Sequence, residues 1–204
     1  MRRALLKWLA FFSLCCGLSC ALWSPPGPHA ELPPVSSVPA DDSPFGPGAV
    51  EWVQARFMLY QTGLAPFEVR RVAETIIAES ERLGLRPELV LAVIYTESAF
   101  HAFARSPAGA LGLMQIMPET GRMLAGELGI EWRGPETLFD PVINIRLGTR
   151  YLALLHSKYT NWDRALAAYN WGPRRIDRRL ESGRSLPSGY VRRVTAQLQS
   201  PRTH

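Results

Sequence analysis

Pro87-Glu88-Leu89-Val90-Leu91-Ala92-Val93-Ile94-Tyr95-Thr96-Glu97-Ser98 reads as a helix that opens on a proline and is then apolar on every side through Tyr95. Proline suits the first helical turn, where its missing N–H has no partner to lose. A helix without a polar face has to be buried. The domain is therefore expected to wrap other helices around this one. Glu97 falls four residues after Val93 and seven after Val90, so it shares their face. Carboxylates are seldom buried without a reason. Desolvation disfavours the charged form and raises the pKa, as a general acid working near neutral pH requires. Taken by itself, Glu97 favours the plainer reading, a solvated carboxylate at the point where the helix surfaces.

Helical spacing continues on both sides. Val50–Gln61 is a short amphipathic candidate with Val53, Phe57 and Tyr60 on one face. Pro66 starts a helix carrying Val69, Val72, Ile76 and Leu83, and Gly84 stops it. Glu79 and Glu81 sit in that helix on a polar stretch with Arg82. Pro118 opens a further helix that ends near Gly129. Asp140-Pro141 is a cap followed by a first-turn proline and leads a long helix to about Tyr159. Asn161 caps the helix through Ala168, and helices are predicted over 173–182 and 188–199. Strand signals are scarce. The predicted fold is all-α, spans about 50–200 and has a central buried helix.

Between the buried helix and Pro118 lies Ser106-Pro107-Ala108-Gly109-Ala110-Leu111-Gly112-Leu113-Met114-Gln115-Ile116-Met117. Glycines let backbone approach a ligand closely. In an extended segment Gln115 and Met117 point the same way. One offers amide hydrogen bonds and the other a soft apolar contact, a pair suited to an N-acetylated sugar. The plainer alternative is a tight loop with Met117 in the core.

The start of the chain is different in kind. Arg2, Arg3 and Lys7 precede an apolar run from Trp8 to Leu22, 15 residues long, where a spanning helix needs about 20. Residues 1–21 are read as a secretory signal with small residues near the cut; an uncleaved anchor is the main alternative. All three cysteines, Cys15, Cys16 and Cys20, sit inside it. Cleavage after Ala21 leaves a chain with no thiol chemistry, disulfide or cysteine metal site. Leu18-Ser19-Cys20 loosely resembles a lipid-attachment motif, with Gly17 where leucine is usual, so membrane attachment through a lipidated Cys20 is the variant of this reading. Residues 22–49 hold eight prolines and three glycines and read as an extended linker.

The formal charge of +5 falls to +2 without Arg2, Arg3 and Lys7, which argues against nucleic acid as a partner. The remaining asymmetry is local: eight arginines follow Gly172, against only Asp177 and Glu181. They are either a solvated helix face or a surface for an anionic polymer.

Glu97-Ser98, Gly112-Leu113-Met114-Gln115 and Ala168-Tyr169-Asn170 occur in that order, joined by Ser106-Pro107, Gly109-Ala110, Asp140-Pro141, Asn144-Ile145 and Tyr190-Val191. This set resembles the ES, GLMQ and AYN motifs of the soluble lytic transglycosylase (SLT-type, family 1) domain over about 83–195. The resemblance implies a lysozyme-like helical fold and cleavage of the peptidoglycan MurNAc–GlcNAc bond with a 1,6-anhydro end. It implies Glu97 as the single catalytic acid/base. Ser106, Gln115, Met117 and Tyr169 would line the sugar cleft, Tyr169 would also orient Glu97, and Asn170 would support the site. Trp171 and Leu186-Pro187-Ser188-Gly189-Tyr190 depart from the family pattern.

Many glycosidases use two carboxylates, and the sequence offers no convincing second one. Asp140 reads as a cap, and Glu119 suits a helix start. A single-acid site fits a transglycosylase; a hydrolytic muramidase on the same fold and an inactive glycan-binding assembly protein are the alternatives. No metal or cofactor is expected. The expected setting is the periplasm or cell envelope, with glycan strands as the partner and an envelope protein as a further one.

Overall fold

The computed structural model describes residues 45–199, so the signal and nearly all of the linker lie outside the described residues. Eight α-helices follow one another there: α1 (Ala49–Met58), α2 (Pro66–Leu83), α3 (Pro87–Ser98), α4 (Pro118–Glu127), α5 (Pro141–Tyr159), α6 (Trp162–Trp171), α7 (Pro173–Glu181) and α8 (Gly189–Gln199). A short 3-10 turn, Pro135–Phe139, precedes α5. The only β pairing among the described residues is two isolated bridges, Arg105 with Leu111 and Leu111 with Ile116. The all-helical expectation holds.

Prolines open α2, α3, α4, α5 and α7 at the first turn, where a fixed φ near −65° is already helical. Asp140 caps α5 by accepting from the Val142 and Ile143 N–H groups at 2.9 and 3.0 Å. Asn161 caps α6 through the Arg164 N–H at 3.0 Å, and α6 runs past Ala168 to Trp171. Gly84 ends α2 at φ +64°, a conformation open to glycine at little cost. α1 is shorter than its apolar spacing suggests: Val53 and Phe57 are buried, whereas Tyr60 lies beyond the helix end and is partly exposed.

α3 is the central element. Val90, Val93 and Ile94 are fully buried, with Leu89, Leu91 and Ala92 nearly so. α8 packs along it, and α2 lies against α5 and α1. Past Ser98 the chain turns through Ala99 and Phe100, both at positive φ. Non-glycine residues hold that conformation only when their surroundings enforce it. Here α1 and the segment after it do so: the Phe100 ring sits edge-on to Phe57 at 4.7 Å and stacks on Tyr60 at 4.6 Å, and the Ala102 N–H donates to the Thr62 carbonyl at 2.9 Å. The end of the buried helix is thereby held in place.

The polar stretch at the end of α2 is not all on the surface: Glu79 is fully buried. α5 lies over α2 and brings Arg146 to 3.5 Å from the Glu79 carboxylate, which also pairs with Arg82 on its own helix. Polarity in a sequence window does not report whether a partner cation arrives from another helix.

Candidate active site

Glu97 occupies the last turn of α3, partly exposed where the helix meets the surface. Burial pushes its carboxyl up from the ordinary 4.5 to about 7; a hydrogen bond from Tyr190 and the charge of Arg193 act in the opposite direction. The Tyr190 hydroxyl donates to Glu97 Oε1 at 2.7 Å, and Tyr190 itself is buried on α8. Tyr169 and Tyr151 complete the wall, their rings 5.4 Å apart. Burial raises all three phenols, Tyr151 to about 12 and Tyr169 and Tyr190 well above the usual 10, the latter two also through the charge of Glu97. These groups stay neutral across the range in which Glu97 titrates.

The loop after α3 is built as a clasp. Leu111 and Ile116 exchange backbone hydrogen bonds at 3.0 and 3.1 Å, and the Gly112 N–H reaches the Ala104 carbonyl at 2.9 Å. Asn144, fully buried on α5, holds it from beneath. Its Nδ2 donates to the Leu111 and Leu138 carbonyls at 2.9 and 2.8 Å, and its Oδ1 accepts from the Met114 N–H at 2.8 Å. Gly112, at φ +78°, has to be glycine: a Cβ would collide with the Asn144 amide and the Leu138 carbonyl. Gly148 on α5 likewise leaves room for the Met114 side chain.

The expected sugar-binding residues are placed as follows. Gln115 is at φ +49°, so the segment is turned rather than extended, and Gln115 and Met117 do not form the paired row expected from alternation. The Gln115 Nε2 donates inward to the Ala104 and Gly112 carbonyls at 3.0 and 2.9 Å, which ties both amide protons to the loop. Met117, at the head of α4, is 37% exposed and free to meet a ligand. The Ser106 Oγ accepts from the Ala110 N–H at 3.0 Å. The Tyr169 hydroxyl donates to the Met114 carbonyl at 2.9 Å. It thus braces the loop, and the hydrogen bond to Glu97 comes from Tyr190 instead. Asn170 is half-buried beside it at the end of α6. Ser98 Oγ bonds back to the Ile94 carbonyl, a local helix contact.

Sequence reasoning missed the roles of Tyr190, Asn144 and Tyr151. Tyr190-Val191 and Asn144-Ile145 were visible as fragments beside the main motifs, without an indication of what they touch. Tyr151 carried no signal, since a tyrosine in an amphipathic helix is ordinary core. Glu79 is the nearest rival for a second acid, but it is already neutralised by Arg82 and Arg146.

An all-helical domain with one carboxylate at the end of a buried helix, facing a loop clasp and a tyrosine wall, belongs to the lysozyme-like class. A transglycosylase SLT domain model matches residues 74–188, more than half of the chain, and the chain belongs to that family. A putative soluble lytic murein transglycosylase of Haemophilus influenzae is 36% identical over 140 residues, covering 61% of this chain and 23% of the relative. A membrane-bound lytic murein transglycosylase C of Serratia proteamaculans is 34% identical over 122 residues, 55% of this chain and 34% of the relative. Among solved structures, an inactive mutant of the lytic transglycosylase Slt from Pseudomonas aeruginosa matches with a TM-score of 0.54 at 34% identity, covering 61% of this chain and 22% of that one. The chain thus spans about a quarter to a third of the length of these relatives. α1 and the first turns of α2 precede the matched range.

Proposed function

We propose that the chain is a peptidoglycan lytic transglycosylase in which Glu97 is the single acid/base. The observation that carries this is the Glu97 carboxyl itself: at the end of the buried helix, partly exposed, bonded by the Tyr190 hydroxyl, and raised to about 7. A carboxyl with that pKa is substantially protonated near neutral pH and can donate, then accept, within one turnover.

The geometry supports the following steps. Protonated Glu97 delivers its proton to the oxygen bridging N-acetylmuramic acid and N-acetylglucosamine as the C1–O bond breaks. The substrate's own acetamido oxygen stabilises the cationic C1. Glu97, now a carboxylate accepting from Tyr190, takes the proton of the muramic 6-hydroxyl as that oxygen bonds to C1. The acid is restored, a 1,6-anhydro ring closes and no water enters. No step calls for a metal or cofactor. A second carboxylate is not needed, because the substrate supplies both the stabilising group and the nucleophile.

Within this reading Met117, Ser106, Gln115, Tyr169 and Asn170 form the sugar cleft. Gln115 and Tyr169 act mainly by holding the loop's shape, and Met117 offers an apolar surface. The relatives are named as murein enzymes, one soluble and one membrane-bound, which supports a place in the cell envelope. Among the described residues no helix is long and apolar enough to cross a membrane. The N-terminal segment is read as an export signal, and membrane attachment would come from it only as an uncleaved anchor or through lipidation at Cys20.

Mass spectrometry of digested cell wall tests the proposal. Anhydro-ended fragments are expected from the wild type and none from Glu97→Gln. Products carrying one added water, with no anhydro species, would assign the chain to hydrolysis.

A further inference from the structure

The mechanism leaves the arginines after Gly172 without a task, and among the described ones Arg193 alone bears on Glu97. Tyr190 and Arg193 are three residues apart on α8 and share a face of it. α8 packs along α3, which brings both side chains to the last turn of the buried helix. The Arg193 guanidinium lies over the Tyr190 ring, 5.7 Å from its centroid, and the hydroxyl of that ring donates to Glu97 Oε1 at 2.7 Å. Arg193 makes no ion pair with a carboxylate among the described residues. Its neighbour Arg192 is engaged elsewhere, its Nη1 donating to the Ser188 Oγ at 2.5 Å. Two consecutive arginines of one helix thus have different places, one at the foot of the helix and one on the tyrosine that holds the acid.

The titratable groups that bear on Glu97 come from three helices: Tyr190 and Arg193 of α8, Tyr169 of α6, and Tyr151 of α5 beside Tyr169. The three phenols are neutral while Glu97 titrates, so they offer hydrogen bonds and no charge. Arg193 is the only cation in the set. A carboxylate at the end of a buried helix is costly unless it is both hydrogen-bonded and balanced by charge. We propose that Arg193 is a positioning residue of the active site, which holds the Tyr190 ring in place and supplies the counter-charge for the Glu97 carboxylate that exists between the two proton transfers. The proposal rests on the transglycosylase reading, in which Glu97 gives up one proton and then takes another. A cation over the face of the ring is attracted to it and strengthens the phenol O–H as a donor. The same guanidinium therefore acts on the carboxylate twice, through the ring and through space.

The test is the pH profile of cleavage by the full chain, as wild type, Arg193→Gln, Arg193→Lys and Arg192→Gln. The two glutamine variants remove the same charge from adjacent, exposed positions of one helix. In Arg193→Gln the alkaline limb is expected to move up by about half a pH unit, the size of losing an exposed and partly screened cation. The acid-side plateau of kcat should fall about two- to threefold, since a weaker acid donates less readily, with KM little changed. Arg193→Lys should restore most of the limb and the plateau, and Arg192→Gln should match wild type. A limb that does not move in Arg193→Gln overturns the proposal. So does an equal shift in Arg192→Gln, which would reduce the effect to the overall charge of α8. A lysine that restores nothing overturns it as well, because the role would then be packing and not charge. If the wild type releases no fragments, the reaction assigned above fails. Arg193 is still decided in that case by carbon NMR titration of the Glu97 carboxyl in the full chain: a higher midpoint in Arg193→Gln than in wild type supports the proposal, and an unchanged midpoint overturns it.

Discussion

The Tyr190 hydroxyl lies 2.7 Å from Glu97 Oε1, across 93 residues of sequence. This bond works against the dominant effect at the site. Burial raises the Glu97 carboxyl, whereas a donor stabilises the carboxylate and lowers it. The two together leave the group near 7, where both protonation states are accessible.

Removing the donor should shift that balance in a defined direction. In Tyr190→Phe the carboxylate loses a charge-assisted hydrogen bond while burial persists, so the Glu97 pKa rises further. The alkaline limb of the activity profile is expected to move up by about one pH unit, with kcat reduced and KM little changed. A profile unmoved on the pH axis would show that Tyr190 does not set the charge of Glu97.

The raised carboxyl also links stability to pH. An unfolded glutamate titrates near 4.5 and Glu97 in the fold near 7, so the native state binds the proton more tightly. Its favourable contribution is complete below pH 4.5 and is lost as pH climbs to 7. Glu97→Gln, which cannot ionise, escapes that loss. Urea unfolding should find the variant about as stable as wild type at pH 4 and up to about 3 kcal/mol more stable at pH 8. Equal stability of the two proteins at pH 8 would contradict the elevated pKa.

How much of this was legible in the sequence depends on the range of each interaction. Helix starts were readable because Asp140, Asn161 and the first-turn prolines act within three residues of themselves. α3 was readable because an apolar run that long has one fate. The 3-10 turn at 135–139 was not, being too short for periodicity to register. Gln115 was misplaced because alternation presumes an extended backbone, and φ +49° there is enforced by Asn144 and the Ala104 carbonyl from elsewhere in the chain. The burial of Glu79 was not legible because its partner Arg146 arrives from α5. Glu97 could be identified as the chemical centre, but the identity of its partner tyrosine could not. Tyr169 and Tyr190 both lie in recognisable fragments, and only packing decides which hydroxyl meets the carboxylate.

The Asn144 clasp gives an expectation about the loop rather than the acid. Asn144→Ala leaves the Met114 N–H and the Leu111 and Leu138 carbonyls without their partner in a fully buried place. A loss of about 2–4 kcal/mol is expected, since each stranded buried group costs about 1–3 kcal/mol and the losses overlap. Because the loop also shapes the cleft, KM should rise in protein that remains folded, while the pH profile set by Glu97 stays where it was. A shifted profile would mean that the clasp acts on the acid itself.

Glu79 offers the contrasting case of a carboxylate whose removal should leave the chemistry intact. It lies between Arg82 of its own helix and Arg146 of α5 and pairs with both. Glu79→Ala leaves both guanidiniums without their carboxylate, and because Arg146 still reaches solvent a loss of about 1–3 kcal/mol is expected. Replacing Glu79, Arg82 and Arg146 together by apolar residues of similar volume removes charge and partners alike, and should recover most of that loss. In both variants the pH dependence of cleavage, measured below the melting temperature, should match wild type. If Glu79→Ala instead abolished cleavage in a fully folded protein, Glu97 would no longer stand as the single acid.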